Sequence, residues 1–368
     1  MSKEKEYFSV KQLDRVAEDA DYIVLYSTRS DGKSYATKSR ALLDAFESID
    51  ENGVCQRQLA YMRRYDLDNR DAKITAYFAD MPVQEITDGK YTHIVAYRKD
   101  IYFAHIDNGK IVRDVCIGRG FSIATAEHEK SLMYPKIFNI IFEEMTTMSG
   151  QYLYNEPTAF LHAVSSIIRD RLNCKVYIIC NIISRFCPYF DEWGIPAEKI
   201  KAGEKVIILF DDEECETRTK LVFYHVKPTG DKSGMFNLGR AKDNITKGKY
   251  LTTLQRHLKR PPSNYRKIHT VVLEYEKFAY LMQFIYYTDY EFGNDYAWYI
   301  SPKTSPVQKN TRVVTNNLAH GGRYVTDSFR GLTENEKRAF VYLFDSSKVF
   351  FSDNLTGTEF NNIINNFC

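Results

Sequence analysis

At 368 residues, with 44% hydrophobic and 27% charged side chains, the chain is long enough for two domains with sizeable cores. Its formal charge of +2 excludes a global field as the basis of nucleic-acid binding and leaves only local basic patches. Seven cysteines without a C-x-x-C pair imply neither a disulfide framework nor a zinc site, and no apolar run approaches a membrane span.

The charged start, MSKEKEYF, lacks a signal-peptide pattern, and the scattered thiols suit a reducing cytoplasm. The 27 Tyr and 23 Phe read as the marks of a strand-rich protein, not of a stacking platform. Residues 8–20 read as a short helix. Residues 22–34, YIVLYSTRSDGKS, follow it. An apolar strand ends in a polar loop, the loop closes with Gly32-Lys33-Ser34, and YATKSRALLDAF continues as a helix. This is the strand, phosphate loop and helix of the Walker A pattern, with Ser27 in place of the first Gly. Backbone N–H groups of such a loop and helix N-terminus converge on phosphates. Ser27, Thr28, Arg29, Ser30, Asp31, Gly32, Lys33, Ser34 and Tyr35 are the candidate nucleotide-binding residues. Lys33 places a point charge on ATP, and the Ser34 hydroxyl ligates Mg²⁺.

A strand is predicted at 56–67, QRQLAYMRRYDL. Residues 91–117 alternate apolar and polar, with hairpin turns at Arg98-Lys99-Asp100 and Asp107-Asn108-Gly109, which gives a small inserted antiparallel meander. Apolar strands follow at 137–142, 175–180 and 205–210. A helix over 155–172, capped by Asn155 with Pro157 near its start, lies among them. Strands alternating with helices imply a mainly parallel sheet covered on both faces, a P-loop NTPase of the ASCE type. A further strand at 219–226 ends this domain, placed at 1–226. Residues 227–264 form a Gly-, Pro-, Lys- and Arg-rich linker with one short helix near 250–258. Residues 265–368 form a second, α+β domain with a helix at 333–344, a strand at 348–351 and a last helix at 358–367.

An ATPase needs a carboxylate for Mg²⁺ and another to polarise the attacking water, both at the end of a buried strand next to the first. FNIIFEE ends in Glu143 and Glu144; KVIILFDDEE ends in Asp211, Asp212, Glu213 and Glu214. Chain order favours Glu143 for the metal and Glu144 for the water. The strand KVYIIC that follows ends in Asn181, a fitting γ-phosphate sensor. The acidic run at 211–214 then reads as a solvated turn.

The loop with Arg29 at its third position, QLAYMRRYDLD, the block FEEMTTMSGQYLYNEP–IIRDR and NIISRFCPYF together resemble one family. It is that of the DNA-encapsidation ATPases of small short-tailed phages with protein-primed genomes, the phi twenty-nine-like group. The resemblance covers about residues 20–225 and is weaker beyond 265, carried there by KVFFSDNLTGTEF. It departs from the family at Ser27 and at Glu143, where Asp is usual.

The resemblance implies a homomeric ring, typically a homopentamer, on the portal of an empty capsid. Hydrolysis of ATP drives double-stranded DNA through it. Each site lies at a subunit interface, where the neighbour supplies cations: here Arg171 or Arg169, and Lys130 as a second. A guanidinium stabilises the charge that develops in phosphoryl transfer. The protein would work in the host cytoplasm, transiently at the procapsid portal vertex, absent from the mature virion and away from any membrane. Structural RNA is an open partner. The second domain resembles an RNase H-type nuclease domain without nuclease activity. Glu274, Glu276, Asp289 and Asp295 are available there but form no recognised constellation. Sequence-independent DNA contacts would come from Lys and Arg on phosphates. Candidates are Arg63, Arg64, Lys90, Arg98, Lys99, Arg256, Lys259 and Arg260, with Arg266 and Lys267 in the same basic run. Another oligomeric P-loop motor, such as a helicase, and a nucleotide-gated portal adaptor with little turnover are the rival readings.

Overall fold

The structure is a computed structural model describing residues 7–129, 133–169, 171–212, 217–229, 249–250, 264–289, 293–307, 311–315, 326–328, 338, 342, 346 and 348–364. Two compact units divide the chain: Met1–Met148 with Tyr152–Tyr250, and Ser149–Gln151 with Leu251–Cys368.

The first unit is built on β1, Tyr22–Ser27, whose residues after Tyr22 are all buried. Burial on both faces is what an unbroken apolar run in a parallel sheet requires. Val24 and Tyr26 join one core with Phe142, Phe160 and Tyr189, while Ile23 and Leu25 join another with Leu13, Val16 and Ala36. The other strands are β2 (Gln58–Arg63), β3 (His93–Tyr97), β4 (Asp100–Asp107), β5 (Lys110–Ser122), β6 (Ile137–Glu143), β7 (Lys175–Asn181), β8 (Lys205–Asp212) and β9 (Thr217–His225). They form one 9-stranded sheet in the order β3-β4-β5-β2-β6-β7-β1-β9-β8. The run from β5 through β9 is parallel. Helix α1 (Val10–Ala17) starts at a Ser9 capping box, and α2 (Lys33–Glu47) leaves the loop after β1. Then come α3 (Asp71–Tyr77), α4 (Val83–Ile86), α5 (Glu156–Ile168) and α6 (Pro188–Glu192).

The acidic strand β6 is not next to β1; β7 lies between them and pairs with both. Strand β8 is an antiparallel edge strand beside β9, with Ile207, Leu209 and Phe210 exposed, not a covered parallel one. Antiparallel neighbours need no crossover helix between them. The antiparallel meander is present as β3-β4-β5, and through β5, which pairs with β2, it extends the main sheet. Its turn at Arg98 (φ 52°) and Lys99 (φ 67°) is stabilised by Asp71, which accepts both backbone N–H groups at 2.9 Å. Asn155 precedes α5 in a left-handed conformation and makes no cap; its Oδ1 instead accepts from the Thr158 hydroxyl at 3.0 Å.

The second unit holds β10 (Tyr265–Tyr275), β11 (Phe278–Asp289), β12 (Gly293–Pro302), β13 (Arg312–Thr315), β14 (Thr326–Ser328) and β15 (Val349–Phe351). They form a 6-stranded sheet in the order β14-β13-β10-β11-β12-β15. Consecutive strands β10 to β12 are antiparallel, while β13 runs parallel to β10 and β14 to β13. Helix α7 spans Asn354–Ile364, starting earlier than the sequence suggested, because Asp353 accepts the Thr356 N–H at 2.8 Å. Its Phe360 packs against Tyr280 and Phe351. The helix expected near 250–258 falls outside the described residues except Tyr250, and that at 333–344 except Arg338 and Tyr342.

Candidate functional site

Open α/β sheets bind ligands at the carboxyl ends of their strands, and there the loop after β1 meets the ends of β7 and β6. Gly32 sits at φ 93°, a left-handed conformation, and a Cβ there would fall 2.8 Å from the Phe8 carbonyl oxygen. Only glycine fits both demands. Helix α2 begins without a side-chain cap, so its first N–H groups are open to an anion. Lys33 is buried, and its Nζ donates to Ser27 Oγ at 2.7 Å, to the Thr28 carbonyl at 2.8 Å and to Asn181 Oδ1 at 3.2 Å. The serine in place of the first loop glycine thus holds the ammonium through its hydroxyl. Asp31 faces inward, accepting from the Thr28 hydroxyl at 2.6 Å and from Thr229 N–H at 3.1 Å. Arg29 is exposed and reaches Met148 Sδ at 3.3 Å; Ser30 and Tyr35 are exposed.

Asn181 closes β7 in register with Ser27, and its backbone is fixed by Thr146 on both sides, at 3.0 Å to the N–H and 2.8 Å to the carbonyl. Glu143 closes β6. Burial pushes its carboxyl up from the ordinary value, against hydrogen bonds from Tyr77 and Ser34 and the charges of Arg63 and Lys33. The Ser34–Glu143 pairing joins the two groups expected to face Mg²⁺, so this donor set of hydroxyl and buried carboxylate fits a hard cation. Among the described residues no cluster of three or more His, Cys, Asp or Glu side chains could hold a metal. Glu144 stands just past the strand at φ 62°, half-exposed, with Oε2 at 2.6 Å from Arg63 Nη2.

The rival acidic run lies elsewhere. Strand β8 runs against β9, so Asp211 sits opposite Arg218, at the far end of the sheet from Lys33, and pairs with its Nε at 2.5 Å. Glu213 and Glu214 lie outside the described residues.

Arg169 and Arg171 are not brought to the loop of their own chain. Helix α5 returns to the start of β6, where Arg171 Nη2 donates to the Ile137 carbonyl at 3.0 Å and also to that of Ile167. The 7 residues of β6 separate that point from Glu143, on the order of 20 Å along the strand. Arg169 is exposed beyond α5. Lys130 lies outside the described residues.

Of the DNA candidates, Arg64 is buried in a forked pair with Glu156 and cannot face a duplex. Arg63 is engaged by Glu144 and Lys99 by Asp66, at 2.5 Å. Arg98 is exposed beside the Tyr97 ring; Lys90 is exposed, beside Tyr91. Arg266 and Lys267 are exposed on β10, whereas Arg256, Lys259 and Arg260 lie outside the described residues. In the second unit Glu274 approaches Lys303 at 3.9 Å, and Lys348 holds the Asp295 carboxyl below its ordinary value. Sequence reasoning missed Tyr77, Glu156, Tyr189 and Thr229. None stands in a motif, and each is identified only by what it touches.

These features define a mixed α/β protein with a large, mainly parallel sheet. The Podovirus DNA encapsidation protein (Gp16) family matches residues 7–223, more than half of the chain, and the chain belongs to that family. It is 29% identical over 164 residues to the DNA packaging protein of Bacillus phage phi29, covering 44% of this chain and 43% of that one. It is 30% identical over 191 residues to the DNA packaging protein of Bacillus phage B103, covering 50% and 53%. The chain thus spans about half the length of the curated relatives it matches. A solved structure of the phi-28 gp11 DNA packaging motor superposes with a TM-score of 0.49 at 18% identity, covering 99% of this chain and 98% of that one.

Proposed function

We propose that this protein hydrolyses MgATP to drive double-stranded DNA into a procapsid, as one subunit of a homomeric ring at the portal vertex. The observation that carries this reading is the convergence of Lys33, Asn181 and the Ser34–Glu143 pair beneath an uncapped helix N-terminus. Backbone N–H groups of the loop and Lys33 would hold the β- and γ-phosphates, with Ser34 and Glu143 on the magnesium. The metal, when bound, supplies charge neutralisation at the transferring phosphoryl group. Glu144 polarises the attacking water and Asn181 reports the γ-phosphate.

Membership of the DNA-encapsidation family supports duplex DNA as the substrate of the motor. Arg98 and Lys90, with the basic segment that includes Arg266 and Lys267, are the cations offered to DNA phosphates or the portal. Distance within one chain supports Arg169 acting on the neighbouring subunit's site, hence a ring. The second unit is a docking domain without nuclease activity. Five of its six strands, in the order β12-β11-β10-β13-β14, suit an RNase H-type sheet, with β15 added beside β12, and its carboxylates Glu274 and Asp295 face lysines. The protein acts in the host cytoplasm and leaves the filled capsid.

The test is ATP turnover by the purified protein with portal-bearing procapsids and either duplex or single-stranded DNA. Duplex-stimulated turnover, lost in Glu144→Gln but kept in Asp211→Asn, is expected. Stimulation by single strands alone would replace this reading with a helicase.

A further inference from the structure

Arg64 turns away from solvent into the space between β2, the turn after β6 and the start of α5. Its Nε and Nη2 donate to Glu156 Oε2 at 2.7 Å and Oε1 at 2.8 Å. Glu156 is fully buried and is further satisfied by the Tyr189 hydroxyl at 2.9 Å and by Leu153 N–H at 2.8 Å. The remaining donors of the same guanidinium reach the carbonyls of Glu144 at 3.2 Å and Met145 at 3.0 Å. The ring of Tyr152 lies 5.1 Å from its centre. One side chain therefore ties the acidic turn to a buried carboxylate on a different element.

That turn is not a relaxed one. Glu144 holds φ 62°, a conformation rare for residues other than glycine and adopted only where the surroundings enforce it. A buried ion pair is weak evidence of stabilisation, because desolvation offsets most of its attraction. Its worth here is geometric: a planar fork fixes direction as a flexible ammonium does not. We infer that Arg64 is a positioning residue for hydrolysis, which sets the backbone from which Glu144 aims its carboxylate. The inference rests on Glu144 being the group that polarises water.

The test is Arg64→Lys, which keeps the positive charge and removes the fork. Turnover number should fall by up to about 10²-fold, the loss that a misplacement of about 1 Å can cause. KM for MgATP should stay within about twofold, because the phosphate loop is untouched. Duplex-DNA affinity at fixed salt should not change. Tyr189→Phe, which removes only a hydroxyl from the same network, should lower the turnover number in the same direction with the melting temperature retained. It decides the matter if Arg64→Lys fails to fold. Unchanged turnover number in a folded variant, or loss of DNA affinity with turnover intact, would overturn the inference. If Glu144→Gln itself keeps turnover, the reading of Glu144 is what fails. If Glu144→Gln is dead and Arg64→Lys is fully active, only the positioning role is lost.

Discussion

Tyr77 Oη donates to Glu143 Oε1 at 2.7 Å, joining the last residue of α3 to the last residue of β6. Glu143 is buried and Tyr77 partly so, and burial raises the pKa of each. A carboxyl whose folded pKa is raised favours folding in its neutral form. Its contribution is complete below the ordinary carboxylate value and is lost as pH rises through the folded value. The nucleotide-free protein should therefore lose thermal stability on this account as pH climbs from the acid side, and MgATP should restore it by binding the ionised form. Tyr77→Phe removes a bond that lowers the Glu143 pKa, so the onset of Mg²⁺-dependent nucleotide binding should move to higher pH. Nucleotide fluorescence titrations across pH check the direction. An onset that moves down or stays put would refute the assignment of Glu143 as the metal-side carboxylate.

The same burial gives a prediction of opposite sign for stability and function. Glu143→Gln removes a buried carboxyl that must ionise to work. The melting temperature of the nucleotide-free variant should be at or above that of the natural protein at neutral pH, while Mg²⁺-dependent ATP binding is lost. Calorimetry with and without MgATP reads both. A lowered melting temperature together with retained binding would place the metal elsewhere.

Lys33→Ala should abolish hydrolysis in a protein that still folds. The Lys33 side chain is buried, and Ser27 Oγ, the Thr28 carbonyl and Asn181 Oδ1 accept from its ammonium. Its removal therefore carries a stability cost of about 1–3 kcal/mol for acceptors left without a donor. Ser27 Oγ can rotate, which keeps the loss toward the lower end. Urea denaturation and ATP turnover measured on the same preparation separate the two effects. Full turnover in the folded variant would end the nucleotide reading.

What could be read from the sequence was whatever carries a local pattern. The loop from Ser27 to Ser34, the strand ends at Glu143 and Asn181 and the two hairpin turns each announce themselves within a dozen residues. Chain order, with Asn181 at the end of the following strand, favours Glu143 and Glu144 over the acidic run, and Asp211 lies at the opposite end of the sheet from Lys33. What could not be read was long-range pairing. Arg64 and Glu156 are separated by 92 positions, and nothing in either neighbourhood distinguishes a buried forked pair from two surface charges. The edge position of β8 was hidden for a related reason: KVIILF has the letters of a buried strand, but its exposure depends on what the chain does next.

Arg171 spends its Nη2 on the carbonyls of Ile137 and Ile167, within its own subunit, whereas Arg169 is exposed. Arg171→Ala should therefore act mainly on stability. Arg169→Ala should preserve nucleotide binding and lower hydrolysis by about 10³–10⁵, the usual effect of removing an arginine finger. Mixing Arg169→Ala with Glu144→Gln should partly restore activity, because some interfaces in a mixed ring pair an intact acid with an intact neighbouring arginine. A site that acts within one chain cannot be rescued this way, since each subunit carries its own defect. Rings shown by mass spectrometry to be mixed, yet inactive, would argue for an arginine acting in cis. The distance that separates α5's end from Glu143 would then have to close by a movement of the helix itself.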